Sequence, residues 1–169
     1  MKYMIISDIH GGINELNKIL EFYVQEKCNK LIILGDLFNY GIDLNNKDII
    51  NRLNSIKQNI ICVRGNCDNN ISNILFDTPY SREIKLNNIN AFLTHGHLYS
   101  KECLLSNNND IIITGHTHIP VIEKESNKLF INPGSISKSR SGDNTFIIIN
   151  ENAITLRNLE NKVLIEYKL

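Results

Sequence analysis

Short apolar runs rich in isoleucine recur along the first two thirds of the chain: KYMIIS at 2–7, KLIILG at 30–35, NIICVRG at 59–65, NAFLTH at 90–95 and DIIITGH at 110–116. Continuous apolar character over so few residues suits buried strands better than amphipathic helices, whose apolar positions are spaced. Between the first two runs, GGINELNKILEFYVQEK (11–27) places Leu16, Ile19, Leu20 and Tyr23 on one face at helical spacing, which predicts a βαβ unit. NNKDIINRLNSIKQ (45–58) repeats the pattern with Ile49, Ile50, Leu53 and Ile56, giving a second crossover helix. Beyond Ile111 the period changes. IPVIEKE, KLFINPGS, NTFIIIN, AITLRNL and KVLIEYK read as successive strands, with SNK (126–128) and NEN (150–152) as hairpin tips. An α/β first half and a mostly β second half predict one α/β (α+β) domain over residues 1–169: a four-layer αββα sandwich of two packed mixed β-sheets with flanking helices.

Composition narrows the function classes. At 169 residues the chain is long enough to bury a core without staples. Its 18 basic and 18 acidic residues balance, and no stretch is basic, so no stable nucleic-acid binding through phosphates is expected. A small or locally presented substrate fits better. MKYMIIS is too short in apolar positions for a signal peptide, and no segment approaches the roughly 18 apolar residues of a membrane span. The expected setting is soluble and cytoplasmic, with no membrane association. Cys28, Cys62, Cys67 and Cys103 form no CxxC pair, and a reducing compartment disfavours bridges. The asparagine clusters NNKD, NNIN and NNND fall between apolar runs, where turns belong.

What ends each of the five strands carries the chemistry. MIIS runs into Asp8 and His10, IILG into Asp36, CVRG into Asn66, AFLT into His95, and IITG into His116 and His118. In an open α/β sheet the C-terminal strand ends gather at one edge, where ligands bind. Any one of these residues alone reads as a helix cap, a turn residue or a hydrogen-bonded structural histidine. Their joint placement changes that reading, because all five histidines, His97 included, lie in these three loops. Seven oxygen and nitrogen donors exceed the need of one tetrahedral ion and suit two ions sharing a carboxylate. Imidazole and carboxylate donors without thiolate point to manganese, iron, zinc or nickel rather than magnesium alone. Two ions about 4 Å apart would clamp a phosphoryl group and lower the pKa of a bridging water, and such a site suits phosphate-ester hydrolysis.

The series DIH, GD, GNCD, THGH and GHTH resembles, in order and spacing, the motifs of calcineurin-like metallophosphoesterases. Short length, the GNCD variant and INPGS make the chain most similar to small bacterial and archaeal phosphodiesterases of the YfcE type, over residues 1 to 135. The resemblance implies the αββα fold and a metal-dependent phosphodiesterase, a phosphoric diester hydrolase using a metal-bridging hydroxide at a dinuclear centre. It implies that Asp8, His10 and His118 hold one ion, that Asn66, His95 and His116 hold the other, and that Asp36 bridges them. Manganese is the metal it implies first, with nickel, zinc or iron as alternatives. A small phosphodiester is the implied substrate, and a homodimer or homotetramer is compatible with it.

Where most of the superfamily has a histidine after the ligand asparagine, this chain has Cys67, followed by the acidic Asp68 that would orient it. A disulfide, an eighth metal ligand and a nucleophile are the competing readings of Cys67. A thiol beside two dications would have a lowered pKa, and either of its forms would assist a poor leaving group badly. His97 is a candidate for substrate contact or support of His95. Gly11 and Gly12 could let backbone approach a phosphate or simply turn into the helix. Asn39 reads as a support residue or a turn, and Arg64 as a phosphate contact or a solvated side chain. Two other functions share these motifs: a phosphomonoesterase or nucleotide hydrolase on the same site, and a silent binding scaffold like the retromer subunit of eukaryotes.

Overall fold

The first apolar run forms strand β1 (Tyr3–Ile6), buried at all four residues because it has an apolar layer on each side. Side chains alternate across a strand. Met4 and Ile6 therefore face a helix layer with Leu16, Ile19, Ile49 and Leu53, while Tyr3 and Ile5 face a second sheet through Leu93, Ile113 and Ile131. In this computed structural model, residues 1–40, 46–68 and 76–169 are described.

Helix α1 (Ile13–Gln25) buries Leu16, Ile19 and Tyr23, as its spacing predicts. It leads to β2 (Lys30–Ile33), α2 (Asn46–Asn54), a 3₁₀ turn (Lys57–Asn59) and β3 (Ile60–Cys62). The predicted second helix is thus shorter than 45–58, and Asn45 lies outside the described residues. There follow β4 (Ser81–Leu86), β5 (Ile89–Thr94), α3 (Lys101–Leu105), β6 (Ile111–Ile113), β7 (Pro120–Glu125), β8 (Lys128–Pro133), β9 (Thr145–Ile149), β10 (Ala153–Asn158) and β11 (Val163–Lys168). The sheets run β11-β10-β9-β1-β2-β3 and β4-β5-β6-β8-β7. Both are mixed: β1, β2 and β3 are parallel, as are β5, β6 and β8, and the remaining pairs are antiparallel. The hairpin tips fall where predicted, between Glu125 and Lys128 and between Ile149 and Ala153.

The four predicted layers are present, and the fourth is thin. Among the described residues, the five-residue α3 is the helix that covers the outer face of the second sheet, packing Leu104 on Phe92 and Ile112. Neither α3 nor β4 is called for by the periodicity. One buried residue in five cannot make a helical period, and SREIKL buries only Leu86 because β4 is an edge strand. All four cysteines are free, with Cys28, Cys62 and Cys67 buried. Among the described residues no helix is long and apolar enough to cross a membrane.

A polar clamp ties α1 to the far edge of its sheet. The Glu26 carboxylate accepts from Lys2 Nζ (2.9 Å), Arg157 Nη1 (2.6 Å) and Asn161 Nδ2 (3.2 Å). Burial would raise its pKa, but the three donors outweigh burial and hold it at about 2, below the ordinary 4.5. A depressed carboxylate pKa adds stability above the unfolded value that is lost as pH falls through the folded one. Glu26→Gln is expected to cost about 1 kcal/mol at pH 7, with the difference from wild type closing between pH 4.5 and about 2. Urea titrations at several pH values would read it; a gap independent of pH would rule out the ionic contribution.

Candidate metal centre

The parallel strands deliver their C-terminal loops to one edge. Asp8 and His10 follow β1, Asp36 follows β2, Asn66, Cys67 and Asp68 follow β3, His95 and His97 follow β5, and His116 and His118 follow β6. Neighbouring loops are stitched by Asp8 N–H to Gly35 O (3.1 Å), His10 N–H to Asp36 O (2.9 Å) and Gly115 N–H to His95 O (3.0 Å). Asp8, His10, Asp36, His116 and His118 all have positive φ, between 43° and 67°. Left-handed backbone in non-glycine residues costs energy, and its concentration in one set of polar side chains marks a site held for function. The glycines beside them allow the crowding: a methyl on Gly65 would strike the Asp36 carboxylate, and one on Gly115 would strike Ser7.

Among the described residues, three groups of donor atoms come within 4.8 Å of one another: Asp8, His10 and His118; Asp8, Asp36 and His95; and His10, Asp36 and Cys67. Asp8 Oδ1 lies 3.1 Å from His118 Nε2 and 3.7 Å from His10 Nε2, and Asp36 Oδ2 lies 3.4 Å from His95 Nε2 and 3.6 Å from His10 Nε2. Asn66 Oδ1 is 3.0 Å from His95 Nε2. Its amide nitrogen is engaged by Tyr40 Oη (2.7 Å) and Cys67 Sγ (3.3 Å), which turns the oxygen toward His95. His116 belongs to none of the three groups. Its ring stands 5.1 Å from that of His95, and its backbone N–H donates to Asp8 Oδ2 (3.0 Å).

The tautomers test whether the site fits cations. His95 Nδ1 meets the Leu34 carbonyl at 2.6 Å, and His118 Nδ1 meets that of Lys138 at 2.6 Å. A carbonyl only accepts, so each Nδ1 carries hydrogen and each neutral ring turns an Nε2 lone pair inward. Those lone pairs face the oxygens of Asp36, Asn66 and Asp8, which are acceptors too. Asp8 Oδ1 is sealed from solvent with no hydrogen-bond partner among the described residues. Acceptors converging on acceptors in a buried site repel unless cations lie between them. The donor set therefore fits divalent ions.

Without ions, protons on the imidazoles take the place of the cations, and the titrations shift accordingly. For Asp8, burial acts upward, yet His10 and His118 outweigh it and hold the carboxyl well below the usual range. Burial is likewise outweighed at Asp36, which His95 lowers, and at His95, which Asp36 raises. His118 is raised by Asp8. At Cys67, with no ion charge beside it, burial and then the Asp36 carboxylate push the thiol up to about 12. The protein frame opposes the lowering that ion charge would produce.

Asp68 is 1% exposed, and its carboxylate faces backbone amides. Its oxygens accept from the N–H groups of Asp36 (2.9 Å), Leu37 (2.8 Å), Phe38 (3.4 Å) and Gly65 (2.8 Å), clamping the β2 and β3 loops. Asp68→Ala leaves these amides unmet and is expected to lower stability by roughly 3 kcal/mol, with Asp68→Asn costing less. Denaturant titration in chelator reads the effect away from any metal; a loss under about 1 kcal/mol would refute the clamp.

The other singled-out residues divide. Asn39 donates to the His10 carbonyl (3.0 Å) and accepts from Lys138 Nζ (2.5 Å), so it supports the His10 loop. Gly11 sits at φ 78° with its amide spent on Leu37 O (3.1 Å), and Gly12 caps α1, as turn residues do. His97 stacks edge-on to His95 (5.3 Å), and Arg64 lies over Tyr80. Sequence reasoning missed Tyr40 and the loop after β8. Ser135 Oγ donates to Asp8 O (2.7 Å), Ser137 Oγ to Ile9 O (2.8 Å), and Lys138 O fixes His118. INPGS was the available signal, since its serine follows a strand ending at the same edge.

Residues 1–153 match the family model of the calcineurin-like phosphoesterase superfamily domain. The chain is 37% identical over 153 residues to phosphodiesterase YfcE of Escherichia coli, covering 85% of this chain and 83% of that protein. Against a solved structure of that Escherichia coli phosphoesterase the TM-score is 0.90 at 31% identity, covering 99% and 98% of the two chains. A phosphodiesterase of Methanocaldococcus jannaschii is 28% identical over 148 residues, covering 79% and 83%. Vacuolar Protein Sorting 29 from Cryptosporidium parvum shares the fold, with a TM-score of 0.71 at 18% identity over 99% and 97%. With more than half its length matched by the family model, and a relative at 37% identity covering most of both chains, the protein belongs to the calcineurin-like phosphoesterase superfamily.

Proposed function

We propose that the protein is a metal-dependent phosphodiesterase acting on a small phosphodiester in the cytoplasm, with two divalent ions, manganese first among them. The observation that carries the reading is the convergence of fixed Nε2 lone pairs and carboxylate oxygens on shared points. Asp8, His10 and His118 would hold one ion, Asn66, His95 and His116 the other, and Asp36 both. When bound, the ions supply positive charge for phosphoryl oxygens and a water of lowered pKa. The chain's own contribution is to fix the donors. Leu34 O and Lys138 O set the imidazole tautomers, Tyr40 and Cys67 set the Asn66 amide, and Asp68 holds two loops in register. Cys67 stands at the inner edge of the site, near the atoms of His10 and Asp36, where an assisting acid would be useful. A homodimer or homotetramer is compatible with this reading.

The test is hydrolysis of bis-p-nitrophenyl phosphate beside p-nitrophenyl phosphate by metal-stripped protein, before and after manganese is added. Metal-restored activity favouring the diester is expected. A monoester preference would make the protein a phosphatase, and inactivity toward both with ions bound would favour a scaffold of the kind the shared fold permits.

A further inference from the structure

Beside the centre stands a wall that metal binding does not explain. Arg64 N–H donates to Pro79 O (2.8 Å), bringing the loop before β4 against the loop after β3. This sets Tyr80 under the Arg64 guanidinium, whose carbon lies 5.4 Å from the ring centroid. On the centre's side, Tyr80 lies 6.3 Å from the His97 ring, which is 5.3 Å from His95 and 6.1 Å from His116. Tyr80 is nonetheless 49% exposed. Arg64 Nε and His97 Nδ1 are sealed from water and lack a hydrogen-bond partner among the described residues. Unmet buried polar atoms cost stability. A wall that keeps two of them beside an open aromatic face is shaped for something other than stability.

We infer that Arg64, Tyr80 and His97 form the subsite for the ester group that is not cleaved, and that this group carries an aromatic or heteroaromatic ring. The inference rests on the phosphodiesterase reading and names its substrate class. Tyr80, half exposed and held on one face by a cation, offers its uncovered ring surface to a planar ring. Arg64 adds positive charge for the phosphoryl oxygens at the same place. A small alkyl substituent would gain neither the area nor the stacking. Tyr80 is thereby a specificity-determining residue. A competing location exists: a cavity of about 370 Å³ on the outer face of the second sheet, lined by Tyr99, Leu104, Val121 and Phe130, which reaches the site at Gly96 and His116.

Isothermal titration of manganese-loaded protein with diphenylphosphinate and dimethylphosphinate separates the two. Neither probe has an ester bond, so binding is read without turnover. Wild type is expected to bind the diphenyl probe at least about tenfold more tightly, which corresponds to about 1.4 kcal/mol. Tyr80→Phe should keep that preference, and Tyr80→Ala should reduce it to within about twofold. Equal binding of both probes by wild type overturns the subsite. So does a preference that survives Tyr80→Ala, which would move the ring to the cavity beside α3. Tyr80-dependent preference in a protein that hydrolyses no ester would sink the phosphodiesterase reading while leaving the subsite in place.

Discussion

Asp36→Asn is expected to lower kcat/KM on bis-p-nitrophenyl phosphate by about 10³-fold or more and to reduce bound manganese from two ions to one or none. Asp36 belongs to two of the three donor groups and is 2% exposed. Its Oδ2 stands between His10 and His95, at 3.6 and 3.4 Å, while Oδ1 accepts the Cys67 N–H at 2.8 Å. Asparagine keeps the shape and can keep the Cys67 hydrogen bond, so the loop should hold. It removes the negative charge and presents either a weak neutral oxygen or an N–H₂ donor where a ligand is needed. Asp68 keeps its four backbone bonds, so melting in chelator should change little, while the stabilisation given by manganese should shrink. Metal analysis of the purified variant and its melting curves with and without chelator are the measurements. A variant that retains two ions and near-normal turnover would remove Asp36 from the bridging place.

Cys67→His is expected to have the second largest effect, and as a gain. Cys67 Sγ lies within 4.8 Å of donor atoms of His10 and Asp36; without ions, burial and the Asp36 carboxylate push its thiol up. A thiol donates a poor hydrogen bond to a departing alkoxide, and a thiolate, which ion charge would favour, donates none. Imidazolium is a proton donor matched to neutral pH, and general acids contribute about 10²–10⁴-fold where the leaving group needs one. The low end suits a side chain inserted into a site not built for it. Alkyl leaving groups should accelerate by about 10²-fold, and p-nitrophenolate, which departs unaided, by no more than a few-fold. Plotting log kcat/KM against leaving-group pKa over a diester series would show the slope flatten. A uniform change across the series would refute this account of Cys67, and lost metal would instead assign it to the ligand set.

The amino-acid sequence by itself determined the layers and which polar residues gather at the strand ends. Near neighbours along the chain fix strands and helix faces, so the short continuous apolar run in KYMIIS and the spacing in INELNKILEFYVQ sufficed for β1 and α1. Asp8, Asp36, Asn66, His95 and His116 could be found because each follows an apolar run, and parallel strands must end at a common edge. Elements with little buried surface, β4 and α3, left no local period to read. What the tertiary structure decided is which atoms meet. The imidazole tautomers depend on carbonyls 61 and 20 residues away. Asp68's direction depends on amides in another strand's loop, and the Arg64–Tyr80–His97 wall on the two ends of the β3–β4 connection meeting the loop after β5. No local pattern encodes such pairings, because they exist only once distant strands have fixed their register.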